Sequence, residues 1–134
     1  GPAQVTGGVL RPFAAGTGSA VGGQAQMVRT AGESTIVSLH VEGLTAGGQY
    51  ASHVHAAACA VGDADGHYKL DPAGAAAPPN EIWLAGGTFV ANDAGIANVR
   101  AVASYTAGAG AVSVVVHDLS LPSTANKIAC ADLG

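Results

Sequence analysis

Apolar and polar residues alternate along most of the chain, in short stretches that are separated by glycine-rich breaks. Such alternation, or a short run of β-branched residues, is typical of β-strands. No stretch sustains the i, i+3, i+4, i+7 spacing of an amphipathic helix. The pattern predicts about eight strands, at residues 3–10, 22–29, 34–42, 50–55, 87–91, 96–103, 111–117 and 127–131.

Glycine, asparagine and aspartate mark the breaks between these strands. The runs that suit turns with positive φ are residues 16–23, 31–33, 46–48, 92–95 and 107–110. Residues 56–84 are different, because they are rich in Ala, Gly, Pro and Asp and lack the periodicity of a strand. A loop of that length in a compact domain is usually functional, or is tied down by a crosslink or ligand. Cys59 offers such a tie.

The composition favours one compact β domain. The chain has 134 residues, of which 49% are hydrophobic, 4% aromatic and 10% charged. That length leaves no room for a second domain, so we expect residues 3–134 to form one domain and residues 1–2 to be the remnant of a tag. The 20 glycines and the few aromatic residues favour short strands over long helices.

Charge and hydropathy exclude two classes of partner. The net charge is -4 and the five basic residues are scattered, so nucleic acid is not an expected partner. No window of the sequence approaches the ~18 consecutive apolar residues that a membrane-spanning helix needs, so we expect no membrane span. The sequence does not indicate an oligomeric state.

The two cysteines, Cys59 and Cys130, are isolated and far apart in the chain. This spacing fits neither a C-x-x-C redox pair nor a zinc knuckle, so we expect a disulfide. A disulfide predicts a location outside the reducing cytosol, namely an extracellular, periplasmic or cell-envelope compartment.

The histidines carry the candidate chemistry. His53 and His55 are two positions apart in a predicted strand, where alternate residues share one face and lie about 6.6 Å apart, so both can bind one metal ion. A chance pair on a solvent-exposed face is the alternative. His117 ends a run of three valines and can reach the rim of the sheet, whereas His67 lies in the long loop. We expect His40 to be a surface residue or a satisfied core residue.

These residues belong to an ordered series of motifs that spans nearly the whole chain. The series is Gly43-Leu44-Thr45, His53-Val54-His55, Cys59, Gly66-His67-Tyr68, Asp93-Ala94-Gly95-Ile96-Ala97, Val115-Val116-His117-Asp118 and Ile128-Ala129-Cys130. It resembles the copper/zinc superoxide dismutase family. The resemblance implies an all-β fold, an eight-stranded Greek-key β-barrel or sandwich with metal held on its outer face by long loops.

The resemblance also implies a function and a ligand set. The function is copper-dependent dismutation of superoxide to dioxygen and hydrogen peroxide. The family's copper-binding histidines correspond to His53, His55, His67 and His117. His67 matches the histidine that bridges copper to zinc in the family and carries a proton during catalysis. Cys59 and Cys130 match the cysteines whose disulfide anchors the metal-site loop.

The chain departs from the family at the zinc site. No histidine lies between His67 and His117, and residues 80–85 read Asn-Glu-Ile-Trp-Leu-Ala where the last zinc ligands should be. A tetrahedral zinc site of the family type cannot be built from these groups, so we expect copper and no zinc. Glu81, or else Asp71, is then the candidate to accept a hydrogen bond from the outer nitrogen of His67. A solvated loop carboxylate is the alternative for each.

The second departure is a shortened electrostatic loop. Only residues 118–127 stand where the family has a long charged loop that guides superoxide to the metal. Lys127 occupies the place of the family's arginine, three residues before Cys130, and keeps the positive charge without the planar fork. We expect Lys127 to attract the anionic substrate and so to take part in catalysis. An ordinary surface lysine is the alternative.

Two other functions fit the same residues. One is a copper-binding or storage module with little turnover, because the same four ligands would serve it. The other is a non-catalytic, chordin-like β-sandwich, which does not need the full ligand set. His67, His117 and both cysteines argue against that second alternative.

Overall fold

The computed structural model describes residues 1–13 and 20–134, and none of these lies in a helix. The strands are β1 (Gln4–Pro12), β2 (Gly22–Arg29), β3 (Thr35–Glu42), β4 (Gln49–His55), β5 (Trp83–Val90), β6 (Ala97–Ala103), β7 (Ser113–Asp118) and β8 (Lys127–Asp132). The all-β prediction is thus confirmed. Residues 16–19 of the turn predicted at 16–23 lie outside the described residues.

The eight strands form one sheet in the order β5-β4-β7-β8-β1-β2-β3-β6, and every neighbouring pair is antiparallel. Strand β1 pairs with β2 over most of its length and turns to β8 at Arg11 and Pro12. The two edge strands, β5 and β6, contact each other. The sheet is therefore a nearly closed barrel.

Strand β7 shows how the barrel builds a second, outer layer. Val114 and Val116 point into the main core, whereas Val115 joins a separate cluster with Ala64 and Cys130 on the other face. All three valines have no exposed surface. Because β7 is covered on both faces, its sequence is a continuous apolar run instead of an alternating one.

A disulfide ties the long loop to this outer face. Cys59 is bonded to Cys130 of β8, with the Cα atoms 5.8 Å apart, and the two cysteines are 71 positions apart in sequence. This confirms the predicted disulfide. Closing a loop of that length stabilises the fold by about 4 kcal/mol in the chain-entropy account.

Strand β5 begins earlier than the sequence pattern predicts, at Trp83 instead of residue 87. Ala85 and Gly86 both have positive φ, at 57° and 69°, and the pairing of β4 with β5 shifts register between Ala51 and His53. This interruption breaks the alternation that marks a strand in the sequence. As a result, Trp83 pairs with His53 although no regular pattern connects it to the rest of β5.

Candidate metal centre

Four histidines converge on the outer face of the barrel. Each of His53, His55, His67 and His117 offers a ring nitrogen, and these four nitrogens lie within 4.8 Å of one another. The structure thus brings together all four histidines that were expected to bind copper. A cluster of this kind can hold a metal ion.

Strand pairing explains the convergence. His53 and His55 share one face of β4, and His117 lies on the neighbouring strand opposite Ala51, a small residue on that same face. His67 joins them from the long loop through a β-bridge with His55. Two strands and one bridge therefore supply the four rings.

Two of the rings are fixed by neutral acceptors. The Nδ1 atom of His55 donates to the carbonyl oxygen of Asp65 at 3.0 Å, and that of His117 donates to Oδ1 of Asn126 at 2.9 Å. Each neutral ring then carries a lone pair on Nε2. The two Nε2 atoms are only 3.3 Å apart. Two lone pairs at that distance repel each other, and a cation between them would turn the repulsion into coordination.

The third ring is fixed by a buried carboxylate. Nδ1 of His67 lies 2.7 Å from Oε1 of Glu81, and the same oxygen accepts a hydrogen bond from Nε1 of Trp83 at 2.8 Å. The Glu81 side chain is 2% exposed and that of His67 is 30% exposed. Glu81 is therefore the carboxylate beside His67. Asp71 is exposed, and its side chain accepts a hydrogen bond from the backbone N–H of Ala73 and makes none with His67.

The fourth ring, that of His53, has a buried nitrogen that a metal ion would satisfy. Nδ1 of His53 is buried and has no hydrogen-bond partner among the described residues. A buried polar atom without a partner costs about 1–3 kcal/mol, so such atoms are rare in folded proteins. A metal ion would satisfy this nitrogen. The donor set is then Nδ1 of His53 and Nε2 of the other three rings, and an all-imidazole set suits Cu, Zn, Fe and Ni.

Burial keeps three of these histidine rings in the neutral form that metal binding requires. Burial, together with the smaller effect of the neighbouring histidine rings, lowers the pKa of His53 to about 3. Burial also lowers the pKa of His55 to about 3, against the opposing effect of its bond to Asp65, and lowers that of His117. These three rings are therefore neutral at pH 7, as metal ligation requires.

Lys127 contacts the loop beneath the cluster. Its Nζ donates to the carbonyl oxygens of Asp63 at 2.7 Å and Asp65 at 2.8 Å. The backbone there is left-handed at three consecutive non-glycine residues, with φ of 50° at Asp63, 67° at Ala64 and 52° at Asp65, a conformation that disfavours L residues. The ammonium group therefore helps to hold a strained turn whose Asp65 carbonyl also fixes His55.

His40 lies on β3, away from the cluster. Its Nδ1 is 2.7 Å from Oδ1 of Asn98 and its Nε2 is 3.2 Å from Oε2 of Glu42. The hydrogen bond to Asn98, followed by that to Glu42, raises the pKa of His40. His40 is a partly exposed residue with satisfied nitrogens.

Sequence reasoning missed three contributors to the centre. Asp65 acts through its backbone carbonyl, which no residue type announces. Asn126 acts through its side chain, and the only signal in the sequence for a role at the site is its position next to Lys127. Trp83 had a usable signal, because residues two apart in an extended segment share a face and Glu81 precedes it by two.

The comparisons with known proteins add no family. No family model matches the chain, and none of the curated proteins does. Among the described residues, no helix is both long enough and apolar enough to cross a membrane. The geometry and chemistry of the site itself therefore indicate the function.

Proposed function

We propose that this protein is a copper-dependent superoxide dismutase that works without zinc, on a barrel of the copper/zinc superoxide dismutase type. The observation that carries the proposal is the convergence of four imidazole nitrogens within 4.8 Å. Three of the rings have their outer nitrogens occupied, and the fourth has an unpartnered buried nitrogen. This donor set is compatible with copper, and the order of motifs along the chain favours copper over the other metals that imidazole suits.

The chemistry requires a metal that changes oxidation state. Bound copper supplies a one-electron redox couple, which zinc lacks, and copper is well suited to imidazole ligands. His53, His55 and His117 would hold the ion. His67 is the most accessible of the hydrogen-bonded ligands described above, with 30% of its side chain exposed, so it borders the route by which a small anion and protons reach the centre.

Glu81 gives His67 a proton partner. Its Oε1 lies 2.7 Å from Nδ1 of His67 and is also held by Trp83. A carboxylate at this distance fixes the ring orientation and can accept a proton from it or return one. His67 and Glu81 would thus supply protons for peroxide formation where the family uses a zinc-bound histidine.

The disulfide supports a location outside the cytosol. Structural disulfides persist in oxidising compartments and are rare in the cytosol. The Cys59–Cys130 bond anchors the loop that contributes His67 and the Asp65 carbonyl. We therefore place the proposed activity in an extracellular, periplasmic or cell-envelope compartment.

A copper-binding or storage role is the second candidate, and one observation favours it. Lys127, the cation expected to attract superoxide, donates to two backbone carbonyls. These bonds neutralise none of its charge but direct the ammonium group toward the loop. A site with weak attraction for anions would bind copper without rapid turnover.

The test is pulse radiolysis of protein that carries one copper and no zinc, at two ionic strengths. His117→Ala removes a ligand, and His40→Ala is the matched control because His40 lies outside the cluster. The proposal expects a rate near the diffusion limit that His117→Ala abolishes and His40→Ala retains. A rate no better than that of aquated copper, despite tight binding at one ion per chain, would refute dismutation and support storage.

The chain offers an internal probe for copper loading. Trp83 is the single tryptophan, and its ring lies 5.6 Å from that of His53 in an edge-on arrangement. Cu(II) bound at the cluster should quench Trp83 fluorescence. A titration then gives both the stoichiometry and the affinity, independently of any activity.

A further inference from the structure

Asn126 is the one side-chain amide that contacts the cluster among the described residues, and the sheet is distorted where this contact is made. Val116 of β7 pairs with Ala129 of β8, but the next residue, His117, pairs with Lys127. Ile128 is therefore an extra residue on β8. Bulges of this kind redirect side chains and recur beside active sites.

The bulge moves Asn126 one step closer to His117 than a regular ladder would. In a regular ladder Lys127 would lie opposite Asp118. Instead, the N–H of Asp118 donates to the carbonyl oxygen of Asn126 at 2.8 Å. The side chain of Asn126 then reaches His117, with Oδ1 2.9 Å from Nδ1.

This contact selects one tautomer of His117. An amide oxygen can only accept a hydrogen bond, so the proton of the neutral ring must be on Nδ1 and the lone pair on Nε2. That Nε2 points at Nε2 of His55, 3.3 Å away. The opposite tautomer would place an N–H in the centre of the cluster and block coordination by this ring.

We propose that Asn126 is a positioning residue that fixes the Nδ1–H tautomer of His117 and so keeps its Nε2 free as a metal ligand. The inference rests on the proposed metal site and not on dismutation. The amide is neutral, unlike the carboxylate beside His67, so it orients His117 without adding charge to the site. Partners of this kind typically contribute a factor of roughly 10 to 100 in metal affinity.

The chain contains a matched control. Asn98 and His40 form the same kind of pair, with Oδ1 2.7 Å from Nδ1, on strands away from the cluster. Asn126→Leu and Asn98→Leu therefore remove equivalent contacts, one at the proposed site and one outside it. Asn126→Asp restores an acceptor of the same length.

The first measurement uses metal-free protein labelled with 15N-histidine. Long-range 1H–15N correlation spectra should show His117 protonated on Nδ1 in the wild type and in Asn98→Leu. In Asn126→Leu, Nε2 should become the main protonated nitrogen, and Asn126→Asp should restore Nδ1. Wild-type protein with His117 protonated on Nε2 would overturn the proposal without any variant.

The second measurement is Cu(II) affinity from Trp83 fluorescence. Asn126→Leu should bind roughly 10- to 100-fold more weakly than wild type, while Asn98→Leu and Asn126→Asp stay near it. If Asn126→Leu does not fold, Asn126→Ser gives the same comparison because its hydroxyl is too short to reach His117. If Asn126→Leu leaves the tautomer of His117 unchanged, or keeps the Cu(II) affinity within twofold of wild type, Asn126 does not position His117 and the proposal is wrong. Loss of dismutation alone would reject the proposed function and leave this inference intact.

Discussion

Lowering the pH should destabilise the metal-free protein, because the folded state buries histidines in their neutral form. His53 and His55 have pKa values lowered to about 3, and burial is the main cause for both. In the unfolded chain an ordinary histidine has a pKa of about 6.5. Between these values the unfolded state binds protons that the folded state does not, so the free energy of unfolding falls as the pH drops below 6.5.

The size of the effect follows from linkage. For one histidine with a pKa of about 6.5 unfolded and about 3 folded, the change from pH 7 to pH 5 removes about 1.9 kcal/mol. His53 and His55 together lose roughly 4 kcal/mol on this basis. The lowered pKa of His117 adds loss in the same direction. A loss of this size is a large part of the total stability of a small domain, about 5–15 kcal/mol.

The assay is urea unfolding at pH 7, 6 and 5 in excess chelator, followed by circular dichroism. His53→Asn should remove roughly 2 kcal/mol of the pH dependence, since one buried titrating group is gone. His40→Gln is the control, because the pKa of His40 is raised and its contribution has the opposite sign. A change in the free energy of unfolding below about 1 kcal/mol between pH 7 and pH 5 would contradict this prediction, because it would mean that the cluster accepts protons while folded.

Three further predictions concern the supports of the cluster. Glu81→Gln should weaken copper binding by roughly 10- to 100-fold because His67 loses its charged partner. Asp71→Asn should leave the copper affinity measured from Trp83 fluorescence unchanged. Equal effects of the two substitutions would contradict the assignment of Glu81 as the partner of His67. Lys127→Met should lower the free energy of unfolding by about 1–3 kcal/mol because the hydrogen bonds to the loop carbonyls are lost, and Lys127→Arg should retain most of that stability. Equal urea midpoints for wild type and Lys127→Met would mean that Lys127 is an ordinary surface lysine. Replacing both cysteines by serine should cost about 4 kcal/mol, and a calorimetric loss under 1 kcal/mol would show that the loop is held by other contacts.

Most strands could be predicted because one of their faces is buried in the barrel, and β7 because both of its faces are. In β3 the residues alternate between buried and less buried positions along Thr35–Glu42, and this alternation is what the sequence shows. Prediction failed at the start of β5, where two residues with positive φ interrupt the alternation. Backbone conformation at such a point depends on pairing with β4, which is remote in sequence.

The histidines of the centre could be predicted, but the atoms that bind could not. The H-x-H pair, the histidine at the end of β7 and the loop histidine carry their identity in the sequence. The choice between Nδ1 and Nε2 depends on hydrogen-bond partners that come from elsewhere, such as the Asp65 carbonyl and the Asn126 amide. A backbone carbonyl has no residue signature, and the contact to Asn126 depends on a bulge between β7 and β8.

The histidine cluster and the disulfide are connected through the turn at residues 62–65. The segment starts three residues after Cys59, and its Ala64 packs in the outer cluster with Val115 and Cys130. Its Asp65 carbonyl accepts from both His55 and Lys127. A left-handed turn of non-glycine residues persists only when its surroundings over-determine it, and here a covalent bond, a packed alanine and a lysine all do so. The disulfide thus acts on the ligand geometry as well as on the stability of the barrel, since it holds the acceptor that fixes the tautomer of His55.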